Sequence, residues 1–99
     1  MTNDPRPHIE EREDILARVR TILIENLNVR REPDEIDPDT PIFGSGLGLD
    51  SVDAVELMVS LEAELDVRLP DDAIGRAYLR TVNTLVDLVQ EFRAIAAGK

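Results

Sequence analysis

Apolar residues recur at intervals of three and four in separate runs along this chain, and nowhere in the two-residue rhythm of a strand. The first run, Ile15, Leu16, Val19, Ile22, Leu23 and Leu27, is interleaved with Glu, Arg and Asn. It predicts an amphipathic helix from Glu11 to about Leu27. At about 100° per residue, Ala54, Leu57, Met58, Leu61 and Leu65 fall on one side of a second helix. That helix should open at Asp50 or Ser51, both good N-caps, and end near Asp66; Asp53 adds a negative charge to its first turn. LPDDAI, 69 to 74, places Pro70 near a helix start ahead of acids, and Gly75 weakens this short third helix. Thr81 can cap a last helix whose stripe is Val82, Leu85, Val86, Val89, Phe92 and Ala96. The fold class expected is all-α: a small antiparallel four-helix bundle of three main helices and one short one.

The polar stretches divide the chain further. Residues 1–9 carry Asn, Asp and two prolines and read as a flexible arm, in which His8 is a solvated residue. Residues 10–97 form a single domain. Between 28 and 50, Pro33, Pro38 and Asp34, Asp37 and Asp39 argue for turns, and the length of this first loop points to function. Ile36, Ile42 and Phe43 are the positions that would pin it to the core. The final AAGK should fray.

Composition narrows the field. The 99 residues are 42% apolar but only 3% aromatic, so the core is aliphatic and base stacking has little to work with. A net charge of −10 repels nucleic acid and anionic lipid and attracts basic surfaces. The absence of cysteine excludes disulfides and thiolate chemistry. No run is long enough to span a bilayer and the first residues lack a secretion signal's apolar segment, so a soluble, cytoplasmic protein is expected.

Candidate chemistry centres on GSGLGLDSVDAVEL, 44–57. Its glycines have the wrong spacing for a dinucleotide site and no preceding strand. A P-loop needs Lys where Asp50 stands. Asp37-Pro38-Asp39-Thr40-Pro41 lacks the glycine an EF-hand loop requires. Ser51 has no histidine partner beyond the arm and so no visible means of catalysis. It can still be a substrate. The helix that follows also carries Val52, Val55 and Val59 opposite its core stripe, interleaved with Glu56 and Glu62. Three outward valines with an acidic surround read as a face for docking a protein.

Leu49-Asp50-Ser51-Val52-Asp53-Ala54-Val55-Glu56-Leu57 resembles the phosphopantetheine attachment motif of acyl carrier proteins, a D-S-L triplet opening the second helix. The similarity runs on through LMVSLEAELDVRLPDD and RTVNTLVDLV, and covers about residues 11 to 92. Val52 replaces the usual leucine. Gly46-Leu47-Gly48-Leu49 replaces the commoner D-L-G-x approach, and the segment from Pro70 to Thr81 is slightly longer. These departures favour a specialised pathway over primary fatty-acid synthesis.

The resemblance implies that Ser51 receives 4'-phosphopantetheine from coenzyme A through a phosphopantetheinyl transferase, with Asp50 beside it. The chain is then a non-catalytic carrier of acyl thioesters in fatty-acid, lipid or polyketide biosynthesis, and binds no metal of its own. Val52, Asp53, Val55, Glu56, Val59 and Glu62 would dock basic surfaces of the transferase and of ketosynthase, acyltransferase or acyl-ACP synthetase enzymes. Leu57, Met58, Leu61, Ile74 and Leu79 would line a pocket for the acyl chain, in a protein expected to be monomeric. A peptidyl or aminoacyl carrier, or an acidic interaction module without a prosthetic group, are the alternative readings.

Overall fold

The computed structural model describes residues 6–70 and 79–97 of the chain, with side chains described for 9–70 and 79–95. Three α-helices dominate: α1 (Arg6–Glu25), α2 (Ser51–Leu65) and α3 (Val82–Ala97). The described residues form no strand, only two isolated bridges. The helical fold class expected from the periodicity is therefore observed, with α3 as the expected last helix. The short helix expected after Leu69, with Ile74 and Gly75 in it, lies outside the described residues.

α1 opens at Arg6, so residues 6–9 belong to the helix and not to the arm. Pro7 is compatible with this because a proline in the first turn removes an N–H that has no helical partner anyway. At the other end, Asn28 takes a left-handed conformation (φ 60°), which small polar residues tolerate, and the Val29 N–H reaches the Leu23 carbonyl at 2.9 Å. α1 packs against both α2 and α3. The seam is aliphatic: Ile15, Val19 and Leu23 meet Leu57 and Leu61 of α2 and Val82, Leu85 and Leu88 of α3 in one buried cluster.

Polar contacts fix the helix ends. Arg93 donates to the Leu65 carbonyl (3.1 Å) and Arg18 to the Glu64 carbonyl (3.5 Å), placing two cations at the C-terminus of α2, where the helix dipole favours them. The one buried polar residue among those described, Ser60, accepts a hydrogen bond from Asn26 at 3.0 Å. Thr81 caps α3: its Oγ1 accepts the Thr84 N–H, and Thr84 Oγ1 accepts the Thr81 N–H.

The long loop is held down, as its apolar residues suggest. Ile36 and Ile42 are fully buried and Phe43 partly so. Arg20 donates to the Ile36 carbonyl (3.0 Å). Ile42 N–H bonds to the Arg80 carbonyl and Val82 N–H to the Thr40 carbonyl, so the loop is stitched to the segment that leads into α3.

Candidate functional site

The site is built where this loop hands over to α2. Its glycines divide the work. Gly44 (φ +67°) and Gly48 (φ +76°) hold left-handed conformations that L-residues adopt only with strain. Gly46 meets a different demand: a Cβ there would overlap the Pro41 carbonyl. That same carbonyl accepts the Leu47 N–H at 2.9 Å, and the Leu49 N–H reaches the Ile42 carbonyl at 3.2 Å. Close approach at 46 and reversal at 44 and 48 fold the loop into a tight coil. Arg31 grips it from outside, donating to the Gly46 carbonyl at 3.2 Å. Sequence reasoning missed Arg31 and the Pro41–Gly46 contact, for which a single chain carries no local signal.

Asp50 is the N-cap of α2. One of its carboxylate oxygens accepts both the Val52 and Asp53 N–H groups at 3.0 Å, and Asp53 returns the bond by accepting the Asp50 N–H. This is a capping box with aspartates at both positions. The Asp53 N–H, opposed by desolvation and joined by the Val52 N–H, holds the Asp50 carboxyl below its ordinary range. The cap therefore carries a full negative charge at neutral pH.

Ser51 is the first residue of α2 and is exposed. Its hydroxyl has no hydrogen-bond partner among the described residues, so its oxygen is open to chemistry from solvent. Because the Asp50 carboxylate already takes two amides of the first turn, the helix terminus does not itself clamp an anion there. The serine is exposed to solvent at the helix start.

The valines on α2 behave as the periodicity indicates. Val52, Val55 and Val59 are 75%, 53% and 60% exposed, and few other large apolar residues among those described are exposed. Glu56 is exposed beside them. The other three acids of this face have structural duties as well: Asp50 and Asp53 in the cap, and Glu62, whose Oε2 accepts the Leu69 N–H at 2.9 Å after the chain turns at Asp66. Leu57, Met58, Leu61 and Leu79 all lie in the buried cluster, Leu57 and Leu61 with no exposure at all. Ile74 lies outside the described residues. No described helix is long and apolar enough to cross a membrane.

The phosphopantetheine attachment site family matches residues 17–89. The chain is 40% identical over 78 residues to the acyl carrier protein of Phenylobacterium zucineum (strain HLK1), covering 79% of this chain and 92% of that protein. It is equally similar to the acyl carrier protein of Caulobacter vibrioides (strain NA1000 / CB15N), covering 79% and 94%.

Proposed function

The chain belongs to the phosphopantetheine-binding acyl carrier proteins, and from this we propose that Ser51 bears the prosthetic group. As a member of that family it is a non-catalytic carrier with a covalently attached 4'-phosphopantetheine, and it works with a phosphopantetheinyl transferase and with biosynthetic enzymes. When attached, that group supplies the terminal thiol on which acyl cargo is held as a thioester. The chain's own residues do the rest. Ser51 offers an accessible oxygen, Asp50 and Asp53 fix the helix start that presents it, and the coil at Gly44–Gly48 keeps its approach clear. The base that takes the serine proton and the Mg²⁺ belong to the transferase. Family membership also sets aside the reading of an acidic module without a prosthetic group.

The observation that carries the assignment is the exposed, unbonded hydroxyl at the first position of an aspartate-capped helix. Ser60 is buried and bonded to Asn26. Ser45 sits in the glycine coil with no preceding aspartate. Incubation with coenzyme A, Mg²⁺ and a broad-specificity transferase should add one phosphopantetheine to the wild type and to Ser45→Ala. Ser51→Ala should stay at apo mass, and its modification would overturn the assignment.

We further assign docking to the α2 face of Val52, Val55 and Val59 with Asp50, Asp53, Glu56 and Glu62. Its apolar strip within an acidic surround is complementary to basic surfaces on a transferase, ketosynthase, acyltransferase or synthetase. The glycine-rich approach to Ser51 supports a specialised pathway, with the cytoplasm as its compartment. An aminoacyl cargo shares the Ser51 chemistry, and loading assays with acyl and aminoacyl synthetases separate the two.

A further inference from the structure

The part of α1 from Arg6 to Leu16 precedes the span that the family matches, which begins at residue 17. It is nonetheless clamped to the body of the molecule. Arg12 donates from Nη1 to Asp87 Oδ1 (2.6 Å) and Gln90 Oε1 (2.7 Å), and from Nη2 to Asn83 Oδ1, all on α3. Beside this clamp lies a hollow of about 320 Å³, lined mostly by apolar atoms of Ile9, Leu16, Pro38 and Val86, with Glu13 at its edge. Val86 forms a buried floor, while Ile9 stands 53% exposed on the wall. One acid lies in the lining and two more stand next to it in the chain. Glu13 lines the hollow, Asp37 and Asp39 flank Pro38 in the chain, and none of the three has an ion-pair partner among the described residues. The one cation in the lining, Arg12, is already paired with Asp87.

We propose that this hollow is a second docking site, separate from the α2 face, for a basic amphipathic helix of a partner protein. An aliphatic side chain of that helix enters between Ile9 and Leu16, and its lysines or arginines meet Glu13, Asp37 and Asp39. Charge selects this occupant. A second copy of the chain, at a net charge of −10, would set acidic borders against acidic borders. The apolar floor supplies lifetime and the acidic rim supplies encounter rate. The site does not depend on Ser51 or on any attached group.

The test is an NMR titration of the full-length apo chain with a synthetic peptide of leucine and lysine, its leucines spaced at three and four. A scrambled peptide of the same composition is the control. The largest amide shifts should fall at Ile9, Leu16, Asn83 and Val86, and the scrambled peptide should bind more weakly. Ile9→Ser and Glu13→Lys should each weaken binding roughly tenfold, the scale set by losing part of one buried aliphatic side chain or reversing one rim charge. Loading of Ser51 by a transferase should be unchanged in both variants. Shifts centred on Val52, Val55 and Val59, or spread over all acidic surfaces and indifferent to both substitutions, would overturn the proposal. So would concentration-dependent shifts in the hollow without peptide, which would make a second copy the occupant. A wild type that fails to load at Ser51 would count against the prosthetic-group assignment alone.

Discussion

At the scale of single residues, the site rests on carboxylates that serve the backbone before they meet any partner. Asp50 is the clearest case. Its two amide bonds stabilise the charged form, so its pKa is lower in the folded chain than in the unfolded one. The linked stability is fully present above the ordinary aspartate value of 3.8 and is lost as pH falls through the lower folded value. Asp50→Asn keeps a capping oxygen but removes the charge. Its melting midpoint should sit below the wild type's at neutral pH, and the gap should close in acid; a gap independent of pH would mean the charge contributes nothing. Glu56 is the counterpart, an exposed carboxylate with no bond to the backbone. Glu56→Lys should leave the fold intact yet slow transferase loading several-fold at low salt. The defect should shrink as ionic strength shortens the Debye length below ~10 Å. Loading rates measured across a salt series check this.

At the scale of elements, the coil preceding α2 and the helices around it were legible in the sequence to different degrees. The faces of α2 were fully legible, because a 3.6-residue period sorts Leu57 and Leu61 from Val55 and Val59 without any tertiary information. The start of α2 was legible through Asp50, since capping is a local bond. The start of α1 was not. Pro7 and the short apolar content before Ile15 read as an arm, whereas the helix begins at Arg6. The glycines were legible as a turn but not in their separate duties, which depend on where Pro41 is folded back. Those duties make a contrast that can be measured. Gly44→Ala adds a Cβ that meets nothing within 4 Å, so only the left-handed strain of about 1–2 kcal/mol applies. Gly46→Ala drives a Cβ into the Pro41 carbonyl, so the coil itself must move. Urea unfolding should show a larger loss for Gly46→Ala than for Gly44→Ala, and its Ser51 loading should slow as well. Equal losses would mean that the coil yields freely and does not position the serine.

At the scale of the whole molecule, the core is aliphatic. The buried cluster of the described residues contains no aromatic ring; Phe43 and Phe92 pack only at its margin. Leu57, Met58, Leu61 and Leu79 belong to that cluster, with Met58 able to reshape itself around an intruding chain. Burying each methylene is worth up to about 0.8 kcal/mol, against which stands the energy of parting side chains already packed to native density. An acyl chain that enters among these residues binds the folded state alone and so shifts the equilibrium toward it. The phosphopantetheine arm without cargo adds little apolar surface and should stabilise less. The melting midpoint should therefore rise from the holo form to a form carrying a medium-length saturated acyl group, compared at one pH and salt. Leu61→Phe adds volume where Leu61 is fully buried, at a strain of about 1–3 kcal/mol, and should shrink the acyl-minus-holo difference even as it lowers both midpoints. Identical holo and acyl midpoints in the wild type would place the cargo in solvent, and Leu57, Met58, Leu61 and Leu79 would then serve the fold alone.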